Sequence, residues 1–317
     1  MIKLFLLFSI ILEKEKEKIE EYLNYLWKED YLSAIELEKG YFNKYKDHPI
    51  LYSLKTIRYF EYFLDFYEPD SEEEFFKSIE KGILLCDKYK GNDKDIVFLE
   101  GVFLAFSAMF EGLRENYLQA ITKGFKAYNI IKKFKNYPDS YLALGIYDYG
   151  ASILQKYVGK TFIKGDRRQK GIEEVKVSIL RGVFMKANSY EALIEIFLRE
   201  KMRDSAFKWA EKFYQEFGES RRTLFTLGSA YRRSGYFEKA EKVYLKLLPM
   251  VENQNSNYNK GIVRLYLSEC FYVLNKNREE AKKLIKEAEI YLEKSRWYRK
   301  DKVLEYLKKL KRQKFFN

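Results

Sequence analysis

The chain has 317 residues, 47% hydrophobic and 33% charged, which supplies a sizeable core under a well-solvated surface. Only 4 prolines and 16 glycines stand against 25 Phe and 28 Tyr, a balance that argues against a sheet-rich or disordered chain and for large aromatics packed between helices. A single histidine and two cysteines nearly exclude zinc sites built on several such ligands and triads that need a central histidine within one chain. The formal charge of +12 admits anionic partners. Lys and Glu nevertheless alternate along most of the chain, as on ordinary solvated helix faces.

Residues 1–12, MIKLFLLFSIIL, carry Lys3 and then nine apolar-rich residues that end abruptly at EKEKEK. This is the charged start and apolar middle of a signal peptide, without a small-residue cleavage site, and too short for the ~20 apolar residues of a spanning helix. The expectation is an exported (periplasmic) or membrane-associated protein, with a cytoplasmic one as the alternative.

Helical hairpins follow. The first pairs residues 17–27 with 31–45, with Ala34 at the close crossing, and the second pairs 50–66 with 71–89. His48, before Pro49, reads as a turn residue. Ser71, followed by Glu72, Glu73 and Glu74, reads as a hydroxyl cap with acids at the positive end of a helix dipole. The third pair is 95–113 and 116–134, with Ala108, Ala120 and Ala127 at small positions. The fourth opens at Tyr137-Pro138-Asp139 and contains Leu144-Gly145 and then Asp148, a carboxylate on a packed face. Such a group needs a cation or hydrogen bonds to offset its burial, and the spacing offers Arg167 and Arg168 as a structural ion pair.

The connection 156–165 contains Gly159-Lys160-Thr161, the end of a phosphate-binding loop. The loop's first glycine would fall on Leu154 and a helix precedes it, so the segment reads as an ordinary loop. Asp166 and Gln169 are spaced as a capping box for the next helix. Residues 189–200 and 204–217 form the fifth pair.

The sixth pair is the most informative. In Arg221 to Leu248, Leu224, Leu227, Gly228 and Tyr231 share one helix face, Ser234-Gly235 breaks the helix, and Ala240, Tyr244 and Leu247 line the inner side of the next. A polar loop is expected over 251–257. The seventh pair is 258–274 and 278–294, and a basic helix over 298–312 closes the chain. Cys86 and Cys270 lie in apolar helical runs and read as buried thiols.

These residues resemble the tetratricopeptide repeat, with Leu224, Leu227, Gly228, Tyr231, Ala240 and Tyr244 in place, and with Leu247 and Glu252 where Ala and Pro are usual. Ala206 precedes Ala240 by the family's 34 residues. Residues 137–248 are also similar to a group of bacterial tetratricopeptide proteins of poorly defined role. The resemblance implies an all-α, tetratricopeptide-like α-α superhelix of about seven hairpins plus a capping helix. Its divisions would be 1–12 (possible signal or anchor), 13–135 (divergent repeats), 136–297 (tetratricopeptide-like repeats) and 298–317 (basic cap and tail).

It also implies a groove lined by the first helices, which would place Glu191, Glu195, Arg222, Phe225, Ser229, Arg232 and Tyr266 against a bound polypeptide. The Lys and Asn set that some members use to clamp a C-terminal carboxylate is absent. The reading that results is a non-enzymatic scaffold for a protein or peptide partner, with no cofactor and no metal, and with membrane association available through residues 1–12. The alternative is a cytoplasmic nucleic-acid-associated regulator using the basic C-terminal region, which no stacking motif or groove-reading helix supports.

Overall fold

In the computed structural model, the described residues are 15–89, 94–158, 165–182, 184–314 and 316. They are all-α: fifteen α-helices, two short 3-10 turns and no strand among them. In chain order the helices are α1 (Lys16–Trp27), α2 (Tyr31–Lys39), α3 (Pro49–Phe66), α4 (Glu72–Tyr89), α5 (Lys94–Leu113), α6 (Tyr117–Ile131), α7 (Ser140–Val158) and α8 (Arg168–Arg181). They continue with α9 (Lys186–Arg199), α10 (Arg203–Phe217), α11 (Arg221–Ser234), α12 (Phe237–Glu252), α13 (Asn257–Val273), α14 (Arg278–Lys294) and α15 (Lys300–Lys311). The seven pairs and the closing helix expected from the sequence are all there.

Several local expectations need correction. Ser71 lies in a 3-10 turn (Pro69–Ser71), and its hydroxyl donates to the Tyr59 carbonyl instead of capping α4. Asp166 accepts the Arg168 N–H at 3.0 Å, but Gln169 turns away to Glu173, so no capping box forms. A true capping box sits where none was expected, between Ser220 and Thr223 at the start of α11. The polar loop after α12 is shorter than expected, because the helix runs through Pro249 to Glu252 with Val251 buried in its last turn.

One turn geometry recurs. Glu29, Glu115, Lys201, Gly235 and Asn275 all adopt positive φ between the two helices of their pairs. In each case the next residue's N–H reaches back five positions: Asp30 to Tyr25, Asn116 to Glu111, Met202 to Phe197, Tyr236 to Tyr231 and Lys276 to Phe271. This is the Schellman bond, which satisfies a carbonyl left over at the helix end. Ala34, Ala120, Ala206, Ala240 and Ala281 then enter the first turn of the second helices, and all but Ala120 are fully buried. Only one of the five left-handed positions is glycine, so a search for glycine breaks finds one such turn where the described residues hold five.

The chain divides into two compact units: residues 1–62 with 71–192, and residues 63–70 with 193–317. In the first, Phe60, Phe75 and Phe110 are buried together, with the Phe75 and Phe110 rings stacked at 4.6 Å. Helices α7 and α8 cross so closely that a Cβ on Gly145 would lie 2.6 Å from the Gly171 carbonyl oxygen. Helix α5 is long and apolar enough to cross a bilayer by length and composition, but it carries buried Asp95, Ser107 and Glu111 and packs against both α4 and α6. In the second unit, α10 to α14 pack in sequence order. Gly228 gives room to the Tyr244 ring, whose edge would lie 3.0 Å from an added Cβ.

Candidate functional site

The second unit contains a piece of the chain held in the manner of a bound peptide. Residues 63–70 comprise the last turn of α3 and the short connection to α4, and Tyr67, at φ 52°, ends the helix. A helix end leaves carbonyls without intrahelical partners. Here Asn259 Nδ2 donates to the Asp65 carbonyl at 2.6 Å and Ser256 Oγ to that of Phe66 at 2.5 Å, both from the start of α13.

The side chains are matched as well. Arg221, the first residue of α11, pairs with Asp65 at 3.0 Å, and both are almost wholly buried. Arg296 pairs with Glu68 at 3.1 Å and Asp70 at 2.6 Å. Trp297 lies against Phe63 (5.4 Å) and Tyr67 (5.0 Å), and Tyr258 against Tyr67 (4.7 Å). Burial raises the Glu68 carboxyl above its ordinary range, although Arg296 opposes this. Nothing in the sequence marks Asp65 and Arg221 as partners, because some 150 residues separate them.

Further along the same helices are the sequence-nominated positions. Phe225 and Tyr266 are half-buried with ring centroids 6.4 Å apart. The Arg232 guanidinium lies 3.7 Å from the Tyr266 ring centroid and donates to Glu269 at 2.7 Å. Burial works against its charge, but Tyr266, Tyr244 and Glu269 more than offset this and hold Arg232 protonated. Tyr306 of α15 completes the group; burial and its hydrogen bond to Glu269 raise its pKa. Ser229 is half-buried on the same helix.

The other nominated positions do not join this set. Arg222 is buried. Glu195 pairs with Arg233 at 2.5 Å and Arg199 at 2.9 Å. Glu191 lies in the first unit. Val263 and Cys270, at matching repeat positions, are fully buried, and burial pushes the Cys270 thiol up to about 12.

Asp148, with no exposed surface, sits on α7 facing α8. Arg167 Nη1 is 3.2 Å from its Oδ1, and Lys170 Nζ contacts Oδ2. Arg168 is not part of the group, because it pairs with Asp166 at 2.7 Å. Lys170, which the sequence pattern did not single out, is three residues after Arg167 and therefore shares its side of α8. The Asp148 backbone carbonyl accepts from Ser152, whose hydroxyl in turn accepts the Arg167 N–H at 2.8 Å. Lys170 also reaches Glu174 at 3.1 Å, and Tyr128, stacked on Tyr147 at 4.2 Å, lies 3.5 Å from Arg167.

Residues 1–12 and the Gly159-Lys160-Thr161 stretch lie outside the described residues. Among the described residues no group of three or more His, Cys, Asp and Glu is placed to hold a metal ion.

No family model and no curated protein matches the chain. Among solved structures it is similar to a signal-transduction ATPase with a tetratricopeptide repeat sensor from Pyrococcus horikoshii, at 18% identity and TM-score 0.47 over 96% of this chain and 47% of that one. It is also similar to the C-terminal part of a TPR repeat-containing protein from Cytophaga hutchinsonii, at 16% identity and TM-score 0.40 over 85% and 93%. Yeast Tom70 matches at 14% identity and TM-score 0.37 over 82% and 64%. The chain thus spans about half the length of the archaeal protein and less than two thirds of that of Tom70. Consecutive antiparallel helix pairs, the recurring Schellman turn and the buried alanine that follows it give this chain an all-α, tetratricopeptide-like helical-repeat fold.

Proposed function

We propose that the protein is a non-enzymatic scaffold whose second unit binds a polypeptide partner across Phe225, Ser229, Arg232 and Tyr266. The observation that carries this reading is the way the same unit grips residues 63–70. The starts of its first helices supply amide and hydroxyl donors to backbone carbonyls, Arg221 to Asp65 and the Tyr258 ring to Tyr67, and the connection between α14 and α15 adds Arg296 and Trp297. A half-buried aromatic pair with an arginine held protonated beside it is the kind of anchor that dominates polypeptide interfaces. The partner's complementary chemistry is an aromatic or acidic segment.

In the basic C-terminal region four of the cations already have partners within the protein, which favours this reading over nucleic acid. Arg296 pairs with Glu68 and Asp70, Lys309 with Glu305 and Lys311 with Glu289, while Lys300 donates to the Glu293 and Ser295 carbonyls.

A photoreactive amino acid placed at Phe225, with Lys242 on the exposed side of α12 as the control position, tests the site. The expected result is a discrete polypeptide adduct from Phe225 only, lost on Arg232→Gln and retained at high salt. Equal labelling at both positions, or an adduct indifferent to Arg232, refutes the proposal.

A further inference from the structure

The first unit encloses a groove of about 870 Å³ that the scaffold reading does not use. Its walls come from α3, α5, α6, α7 and α9, among them Ile57, Val102, Met109, Ile121, Ala143 and Ile146. The groove stays open because facing positions are small. A Cβ on Gly124 would come no nearer than 3.7 Å to Ala108, and one on Gly150 would meet nothing within 4 Å, whereas at Gly145 on the same helix there is no room.

Four of the polar side chains in the wall are engaged elsewhere, whereas Ser140 Oγ is buried without a hydrogen-bond partner. Ser53 donates to the Ile50 carbonyl, Asn188 to Glu61 and Tyr137 to Asp95, while Asp139 accepts the Met185 N–H. What faces the groove is therefore mostly hydrocarbon, and the two cations that line it, Arg181 and Lys16, the latter 3.8 Å from Glu20, are both exposed. Its size falls within the ~300–1,000 Å³ of small-ligand sites.

We infer that this groove binds a long-chain fatty acid, its acyl chain along the α5, α6 and α7 walls and its carboxylate toward Arg181 and Lys16. Walls that are mostly hydrocarbon reward methylenes over polar groups. Cations at the rim select an anionic head over a cationic one.

The test is calorimetric titration of the full-length chain with saturated fatty acids from octanoate to palmitate below their micellar concentrations, beside dodecyltrimethylammonium. Affinity should rise about fourfold per added methylene (about 0.8 kcal/mol each) and level off once the groove is full. Dodecanoate should bind at least tenfold tighter than the cationic amphiphile of equal tail. Ala143→Phe and Gly150→Phe should each weaken dodecanoate at least tenfold. Gly150→Phe guards against misfolding, since its side chain enters open space, and far-UV circular dichroism checks both variants. Affinity without chain-length dependence, equal binding of the two head groups, or indifference to both folded variants overturns the inference. Binding that emerges only when Leu6 and Phe8 are replaced by glutamate also overturns it, because the groove's occupant would then be the chain's own residues 1–12.

Discussion

Asp148 offers the sharpest test of how this fold is held together. Its carboxylate is buried while its two cations, Arg167 and Lys170, keep 35% and 48% of their side-chain surface in water. The asymmetry sets the direction of each effect. Removing the carboxylate in Asp148→Asn leaves two cations that can turn to solvent, so the loss is that of charge-assisted hydrogen bonds, about 1.5–3 kcal/mol. Removing one cation leaves Asp148 with the other, and Arg167→Ala or Lys170→Ala should each cost only about 1–1.5 kcal/mol. Removing both strands a buried carboxylate, which costs about 3–5 kcal/mol.

The double variant should therefore exceed the sum of the singles by about 1–2 kcal/mol, the mark of two groups sharing one partner. Urea denaturation followed at Trp27, the first unit's only tryptophan, with Trp209 and Trp297 replaced by Phe, isolates the relevant transition. Singles that add to the double, or a double costing less than about 1 kcal/mol, would refute the view that Asp148 depends on this pair. Arg168→Ala, at a residue that pairs with exposed Asp166, should cost under about 0.5 kcal/mol.

Three further outcomes rest on local geometry. Lys201→Gly relieves a left-handed non-glycine turn and should raise stability by about 0.5–1 kcal/mol in chemical denaturation, net of glycine's larger unfolded-state entropy; a loss would mean the turn is unstrained. Gly145→Ala forces a Cβ to 2.6 Å from the Gly171 carbonyl oxygen and should cost about 2–3 kcal/mol, while Gly150→Ala on the same helix should gain about 0.5–1 kcal/mol from helix propensity; equal melting shifts would refute the close-crossing account. His48 accepts the Ile50 N–H through Nδ1, and burial lowers its pKa to about 4 from 6.5. The unfolded chain therefore binds the extra proton between these values, and stability should fall as pH drops from 6.5 toward 4, by on the order of 3 kcal/mol, a slope that His48→Gln should flatten.

The sequence by itself determined the helices and their pairing. A 3.6-residue apolar period and a small residue at each crossing are local requirements of a helix that must bury one face against its neighbour, so they are written within roughly 30 residues of each other. The need of Asp148 for a cation was legible for the same reason, as was Arg167, though helix geometry was needed to choose Lys170 over Arg168. The left-handed turns at Glu29, Glu115, Lys201 and Asn275 were not, because residues other than glycine hold them and the surrounding hydrogen bonds offset the strain. Only the tertiary structure decided that residues 63–70 pack within the second unit, that Arg221 meets Asp65, and that Arg232, Tyr266, Glu269 and Tyr306 converge. Such meetings depend on how successive pairs pack and on chain segments far apart in sequence, and no local period encodes them.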